Sequence, residues 1–339
     1  MFLLVAALLA VGCSSQETGG TTGTSAPPTT SVSASTTTTA ATAGLPTSTT
    51  APSVSRTVTA PPTVFAVIGD YGMDDENEAA VAKLVASWHP AYIITTGDDY
   101  YTPAGGKGTG KYDESTGAYY GAWLKDITTS GKRCPVGPAP VNAFFPSLGN
   151  HDYNSATPGP KTYLRYFDLP GAGFSNSSGN ERYYDFVQGP IHFFVLNSNE
   201  EEPDGTSSTS RQARWLKAGL AASTSTWNIV YDHHPPYSSD FFHSSTPYMQ
   251  WPFAEWGADA VLSGHAHAYE RIERDGIVYF VNGLGGAARY FFWFPVSGSR
   301  IRYNADWGAQ KVTVREDALV FEFSSASGEA IDSYTLAAE

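Results

Sequence analysis

The chain has 339 residues, of which 41% are hydrophobic and 16% are charged, and its formal net charge is −13. This acidic balance argues against a nucleic-acid-binding protein, so nucleic acid is expected only as a substrate, if at all. With only two cysteines, Cys13 and Cys134, the sequence excludes a disulfide-rich scaffold.

The N-terminal residues 1–13 form an apolar run that ends in Gly12-Cys13. The run is shorter than the roughly 20 apolar residues of a membrane-spanning helix, and it predicts an export signal peptide. Its end, Leu9-Ala10-Val11-Gly12-Cys13, resembles a bacterial lipoprotein box, in which the cysteine is lipidated. The resemblance implies an exported protein that is lipid-anchored at the outer face of a bacterial membrane. Two features depart from the lipoprotein pattern, namely the absence of Lys or Arg before the run and Ala at position 10, and the alternative is an ordinary signal peptide and a secreted protein.

Residues 14–60 are nearly all Ser, Thr, Ala, Gly and Pro. Such a segment cannot bury enough apolar surface to offset its ordering entropy, so it is predicted to be a disordered tether. Residues 61–339 are predicted to form one folded domain, because they contain no second linker and no repeat. If Cys13 is lipidated, Cys134 has no partner within the chain, and the stability of the domain comes from its core.

The domain opens with a strand, a helix and a second strand. Residues 63–68 and 91–96 are apolar runs typical of buried strands, and the apolar stripe of residues 76–88 predicts a helix between them. This order favours parallel pairing with a right-handed crossover. Asp70 and Asp98 follow the two strands, at the edge where such sheets bind ligands.

The remainder of the domain alternates between apolar runs and polar loops. Strand-like runs occupy residues 141–148, 181–186, 191–196, 227–231, 260–262, 277–281, 311–314 and 319–323, and helices are predicted near residues 119–124 and from a Thr209-Ser210-Arg211-Gln212 capping box to about Leu220. The runs at 181–186 and 191–196 are predicted to form a hairpin, and the last three runs to be antiparallel strands.

The stretch Ser263-Gly264-His265-Ala266-His267 follows one of these strands. Side chains alternate in direction along an extended segment, so His265 and His267 are predicted to point the same way. Neutral imidazole is the commonest metal ligand of proteins, and the pair therefore suggests a metal site.

Five apolar runs end in residue types that bind metals. In chain order their signatures are Gly69-Asp70-x-Gly72, Gly97-Asp98-x-x-Tyr101, Gly149-Asn150-His151-Asp152, Val230-x-x-His233 and Gly264-His265-x-His267. Each signature alone is a common turn or loop sequence. All five in this order, each at a strand end, predict a dinuclear metal site.

From Val64 to about Gly286 these blocks resemble the calcineurin-like metallophosphoesterases, and Tyr101 makes them similar to the purple acid phosphatases. The resemblance implies an α/β fold in which two mixed β-sheets pack as a sandwich flanked by helices. It also implies Fe(III) together with a divalent Fe, Zn or Mn ion. The ferric ligands would be Asp70, Asp98, Tyr101 and His267; Asp98 would bridge to the divalent ion, which Asn150, His233 and His265 would complete.

The same resemblance implies roles for residues beside the metals. His151 would contact the phosphate or protonate the leaving group, and Asp152 would orient it. His243 would be a second substrate-side histidine; the alternative is a surface loop residue. Three further residues are less informative: His192 and His234 are expected to be structural or exposed, and Arg289 to contact either the substrate or solvent.

The implied activity is that of an acid phosphatase, which hydrolyses phosphomonoesters with metal-bound hydroxide and has an acidic optimum. Two cations can bind the phosphate oxygens and acidify a water molecule, and carboxylate, phenolate and imidazole ligands suit Fe(III) with Zn or Mn. Two alternatives remain. One is a phosphodiesterase or nucleotidase with two divalent ions, and the other is a non-catalytic surface protein whose aromatic loops bind a polymer.

Overall fold

The computed structural model describes residues 63–102, 111–125, 139–153 and 159–338. The predicted signal peptide, the predicted tether and Cys134 lie outside these residues. Within them, no helix combines the length and the apolar character that crossing a membrane requires.

The described residues form strands and short helices in a mostly alternating order. The strands are β1 (Thr63–Ile68), β2 (Tyr92–Thr95), β3 (Phe144–Pro146), β4 (Tyr184–Gln188), β5 (Ile191–Val195), β6 (Trp227–Tyr231), β7 (Ala260–Ser263), β8 (Tyr269–Arg274), β9 (Ile277–Asn282), β10 (Ser299–Tyr303), β11 (Gly308–Val314), β12 (Ala318–Ser325) and β13 (Ala330–Ala337). The α-helices are α1 (Glu76–Ser87), α2 (Ala118–Tyr120), α3 (Asn150–Tyr153), α4 (Lys161–Tyr166), α5 (Arg211–Ala222) and α6 (Phe253–Trp256).

The strands form two mixed sheets. The first has the order β13-β12-β11-β1-β2-β3, and the second has the order β10-β8-β9-β7-β6-β5-β4. β1, β2 and β3 are parallel, as are β5, β6, β7 and β9, while the remaining pairs are antiparallel. The predicted fold class, two mixed sheets with flanking helices, is confirmed.

Aromatic side chains from both sheets fill the space between them. Phe65 of β1 meets Phe193 of β5 edge to face, with ring centroids 5.5 Å apart. Phe280 of β9 stacks on Phe321 of β12 at 4.8 Å. These contacts pack the sheets face to face, so the loops at the carboxyl ends of β1, β2, β6 and β7 can converge at one edge of the sandwich.

Of two predicted helix caps, one is confirmed and one is wrong. Helix α1 is capped by the Asp75 carboxylate, which accepts hydrogen bonds from Asn77 and Glu78. The predicted capping box of α5 is not formed, because Ser210 and not Thr209 caps the helix. The side chain of Gln212, the other end of the predicted box, instead bonds to the backbone N–H and C=O of Asn197.

Candidate metal centre

The site is built where strand ends of both sheets meet, and three of its residues have an unusual backbone. Asp70, Asp98 and His265 have φ values of 56°, 55° and 64°, in the left-handed region that disfavours side chains. Hydrogen bonds hold this conformation: Asp70 N–H donates to the Gly97 carbonyl at 3.0 Å, and His265 N–H donates to Asp70 Oδ2 at 2.8 Å. Strain of this kind concentrates at functional sites.

Two glycines allow the loops to approach closely. A Cβ on Gly97, whose φ is +89°, would lie 2.7 Å from Nδ1 of His233. A Cβ on Gly149 would lie 2.1 Å from Oδ1 of Asp98. Neither position has room for a side chain, so the Gly-Asp and Gly-Asn signatures reflect the packing of these loops against each other.

The first cluster of polar atoms is formed by Asp70, Tyr101 and His267. Nε2 of His267 lies 3.3 Å from Asp70 Oδ1 and 3.3 Å from the Tyr101 hydroxyl, which lies 3.5 Å from the same carboxylate oxygen. Burial raises the pKa of Tyr101 well above its usual range, and the carboxylates of Asp98 and Asp70 raise it further. The phenol therefore stays neutral unless a cation balances its charge.

The second cluster surrounds Nε2 of His233, a fully buried side chain. This nitrogen lies 2.9 Å from Asn150 Oδ1, 3.1 Å from His265 Nδ1 and 3.5 Å from Asp98 Oδ1. Burial, followed by the neighbouring histidines, lowers the pKa of His265 well below its ordinary value. His265 is therefore neutral near pH 7 and has a lone pair to offer.

Backbone carbonyls set the tautomers of two of these histidines. Nδ1 of His233 lies 2.8 Å from the Thr96 carbonyl, and Nδ1 of His267 lies 2.6 Å from the Ala288 carbonyl. A carbonyl oxygen only accepts, so each Nδ1 carries a proton, and in the neutral ring each Nε2 keeps a lone pair facing its cluster. Fixing the outer nitrogen in this way is typical of metal-binding histidines.

Asp98 lies between the two clusters. Ligand atoms of Asp70, Asp98 and His233 all lie within 4.8 Å of one another. The charge of the Asp98 carboxylate and its hydrogen bond to the phenol also raise the pKa of Tyr101. The carboxylate is therefore placed to contact a cation on either side.

The neighbouring Asp99 is turned away from the site. Its Oδ1 accepts hydrogen bonds from Thr95 at 2.6 Å and from Tyr71 at 2.9 Å. Burial raises the pKa of Asp99 to about 8. Of the two adjacent aspartates, only Asp98 faces the clusters, as the sequence pattern predicted.

The prediction that His265 and His267 point the same way from an extended segment is wrong. Strand β7 ends at Ser263, and His265 has a left-handed backbone conformation. The two imidazoles consequently face different groups, His265 towards His233 and His267 towards Asp70. The alternation of a strand does not apply to the turn that carries these two residues.

The predicted role of Asp152 in orienting His151 is also wrong. The Asp152 carboxylate accepts hydrogen bonds from Gly149 N–H at 2.7 Å, Asp98 N–H at 3.2 Å and the Tyr112 hydroxyl at 2.8 Å. Its oxygens are committed to joining two loops, and Nδ1 of His151 is buried without a hydrogen-bond partner. Asp152 thus positions Asp98, while the His151 ring packs 4.2 Å from the Tyr101 ring.

The clusters open into a cavity of about 280 Å³. Its walls include both candidate substrate histidines and an aromatic residue, namely His151, His243 and Tyr290. The His243 ring lies 4.0 Å from the His265 ring, so this residue belongs to the cavity and not to a distant surface loop.

Three other candidate residues are His192, Arg289 and His234. His192 is structural, because its ring bonds to Asp185 and Ser223 away from the cavity. Arg289 stacks on Trp307 at 4.2 Å and bonds to backbone carbonyls, so its guanidinium is engaged outside the cavity. His234 is the residue that the sequence analysis missed.

His234 belongs to a group with His233 and His265 whose ligand atoms lie within 4.8 Å of one another. Its Nδ1 is 2.9 Å from Ser198 Oγ. Its position directly after His233 was the available signal, but adjacent residues usually point in opposite directions.

The donor set fits a pair of cations. Two carboxylates, one phenol, one amide oxygen and three imidazole nitrogens converge, and the fixed tautomers aim lone pairs at the clusters. Without positive charge, the facing nitrogens of His233 and His265 would have to share a proton at 3.1 Å. Carboxylate, phenolate and imidazole ligands suit iron, zinc and manganese.

Comparison with known proteins supports a metal-dependent phosphoesterase. Purple acid phosphatase 23 of Arabidopsis thaliana is 26% identical over 257 residues, which cover 66% of this chain and 52% of that protein. The chain spans about half the length of the curated relatives it matches.

Two solved structures share the fold. Purple acid phosphatase PPD1 from yellow lupin (Lupinus luteus) seeds superposes with a TM-score of 0.61 at 17% identity, covering 81% of this chain and 54% of that one. GAP50, the anchor in the inner membrane complex of Plasmodium, gives 0.58 at 17% identity, covering 83% and 90%. At this identity the likeness shows the architecture alone.

A family model also matches the chain. The model for the calcineurin-like phosphoesterases matches residues 63–269, more than half of the chain and the part that carries every candidate metal ligand. The chain therefore belongs to the calcineurin-like phosphoesterase family.

Proposed function

We propose that this protein hydrolyses phosphomonoesters at a centre of Fe(III) and a divalent ion, as an enzyme similar to the purple acid phosphatases. The observation that carries the proposal is the position of Tyr101. Its hydroxyl converges with Asp70 Oδ1 and His267 Nε2, within 3.5 Å of each. A phenolate ligand adds negative charge and favours Fe(III) over Fe(II).

The proposed ligands divide between two cations. Asp70, Tyr101 and His267 would hold Fe(III), and Asn150, His233 and His265 would hold the divalent ion, which is Fe, Zn or Mn. Asp98, between the clusters, would contact both. When bound, the cations supply the positive charge that neutralises phosphate oxygens and lowers the pKa of a water molecule.

Two histidines of the cavity are proposed to act on the substrate. His151 lines the cavity, so its imidazole can offer a hydrogen bond to a phosphate oxygen or to the leaving group. His243, held through its backbone N–H by Asp240 Oδ1 at 2.7 Å, is placed to bind the phosphate from the opposite side. Burial lowers the pKa of His243, so at neutral pH the imidazole is uncharged and would bind a phosphate oxygen through its one N–H.

The test compares a monoester with a diester. The full chain loaded with iron and zinc should release p-nitrophenol from p-nitrophenyl phosphate much faster than from the diester bis(p-nitrophenyl) phosphate. The rate of monoester hydrolysis should be highest below pH 7. Asn150→Ala should remove most of this activity. A preference for the diester would indicate the phosphodiesterase alternative, and undiminished activity in Asn150→Ala would indicate that the proposed centre is not catalytic.

We further propose that Cys13 is lipidated and anchors the protein at the outer face of a bacterial membrane. The lipoprotein-like end of residues 1–13 supports this proposal. Cys13→Ala should release the protein from the membrane fraction and abolish incorporation of a labelled fatty acid. A wild-type protein recovered entirely from the medium would support secretion instead.

A further inference from the structure

A group of aromatic side chains lies exposed beside the cavity. This aromatic rim consists of Phe241, Phe242, Tyr290, Phe291 and Trp293. Phe241 stacks on Phe291 at 4.8 Å, and Phe242 lies 5.0 Å from Tyr290 and 5.2 Å from Phe291. Phe242 and Trp293 are 56% and 61% exposed. A contiguous exposed apolar patch on a soluble domain marks an interaction site.

Backbone hydrogen bonds fix the two loops that carry the rim. Phe241 N–H donates to the Phe291 carbonyl at 3.0 Å, and Trp293 N–H donates to the Ser239 carbonyl at 2.8 Å. The Asp240 carboxylate accepts from Phe242 N–H at 2.8 Å. Because both loops are fixed, the rings are already ordered before anything binds, which lowers the entropic cost of binding.

The rim continues directly into the metal centre. The Tyr290 ring stacks on the His267 ring with a centroid distance of 4.3 Å and an interplanar angle of 5°. It also lines the cavity and lies 5.2 Å from the His243 ring. A group attached to a phosphate in the cavity, and leaving it past His243 and Tyr290, would therefore meet the ring of Phe242.

We propose that the aromatic rim binds the planar aromatic leaving group of the substrate by stacking. This inference rests on the proposed function, since it extends the same site. Offset and edge-to-face arrangements between rings favour a flat, unsaturated group, such as an aryl ring or a nucleobase, over a polyol. The rim contains no Lys or Arg, so it offers nothing to a further phosphate group of the substrate.

The first experiment measures binding without turnover. The full chain, loaded with metal, is titrated with phenylphosphonate and with methylphosphonate, which share the anionic head and differ in the ring. Wild type should bind phenylphosphonate more tightly, and Phe242→Leu, which keeps apolar bulk but removes the ring, should reduce that preference about three- to tenfold. An unchanged preference in Phe242→Leu would overturn the proposal.

The matched control is Phe294→Leu. Phe294 is 76% exposed, and its ring contacts that of Trp293 at 5.3 Å, at the end of the rim remote from Tyr290. This variant should retain the wild-type preference to within about twofold. An equal loss in Phe294→Leu would mean that the loss in Phe242→Leu does not come from a ring that stacks on the ligand beside the cavity, and would overturn the proposal.

Turnover of three esters distinguishes the aryl and nucleoside sources of the ring. Phe242→Leu should lower kcat/KM for phenyl phosphate or for a nucleoside 5′-monophosphate, but leave that for glycerol 3-phosphate within about twofold. If wild type hydrolyses no ester yet binds phenylphosphonate through Phe242, the proposed function fails while the rim assignment stands. If the variants instead lose binding to neutral phosphatidylcholine vesicles with the ligand preference unchanged, the rim serves a lipid surface and the proposal is wrong.

Discussion

The floor of the cavity and the aromatic rim above it are built in opposite ways. The floor consists of buried carboxylates, imidazoles and one phenol at the ends of strands, each held by two or more neighbours from both sheets. The rim consists of exposed rings on two loops, around residues 240–243 and 290–293. The difference suggests that the strand ends set the chemistry, while the loops set which ester is admitted.

Removing the charge at the centre of the floor should have the largest effect. Asp98→Asn keeps the shape of the side chain but lowers the negative charge between the clusters. We expect kcat to fall about 1,000-fold or more, since the cations contribute several kcal/mol to the barrier, and metal content to fall with it. The exposed Asp168→Asn is the control. Full metal content together with wild-type kcat in Asp98→Asn would show that the floor does not hold the catalytic cations.

His151→Gln should have the next largest effect. The variant retains the backbone N–H that donates to Asp98 Oδ1 at 2.8 Å, so the metal content should stay unchanged. Loss of the imidazole should lower kcat about 100-fold for an alkyl phosphate, and less for p-nitrophenyl phosphate, whose leaving group needs no proton. Equal losses for both esters would assign His151 to phosphate binding and not to proton transfer.

Asp152→Asn should have a smaller effect of a different kind. An amide accepts hydrogen bonds only through its oxygen. In the variant, either the two bonds from Gly149 and Asp98 or the bond from Tyr112 is therefore weakened. We expect metal affinity to fall about 10-fold, which is typical when a residue that hydrogen-bonds to a metal ligand is replaced. The pH profile of the activity should be unchanged. A shifted pH profile at full metal occupancy would instead restore the role in orienting His151.

The smallest effect is expected for Phe294, beside the rim. Because Phe294 is largely exposed, Phe294→Leu should change the free energy of unfolding by less than about 0.5 kcal/mol and the Tm by less than about 2 °C. Differential scanning calorimetry checks this. A larger loss would mean that Phe294 packs into the domain core and does not lie on a free surface.

The same contrast explains what the sequence could predict. Buried parallel strands and the polar residues at their ends are local patterns, so the opening β–α–β unit and the five strand-end signatures were found from the sequence itself, while the ligand set came from the family resemblance. Strands β8, β10 and β13 were not predicted. β8 reads Tyr-Glu-Arg-Ile-Glu-Arg, and its charged residues rely on partners from other parts of the chain, such as Asp332 for Arg271.

Side-chain direction was the harder problem. The direction of the His265 side chain depends on a left-handed turn that the flanking loops impose. The Asp152 carboxylate bonds to residues 98 and 112, which lie far from it in the sequence. His234 reaches the site because Ser198, on another strand end, holds its ring. Such contacts are set by the packing of distant loops, and no local pattern reports them.

The position of Tyr101 can be tested most directly by the visible spectrum and metal content of the purified full chain. The account predicts a purple protein with about one iron per chain. Its colour should disappear in Tyr101→Phe and persist in Tyr290→Phe, which removes a different hydroxyl from the same cavity. A colourless wild type that carries two divalent ions would contradict the tyrosinate–Fe(III) assignment and favour a phosphodiesterase or nucleotidase of the same family.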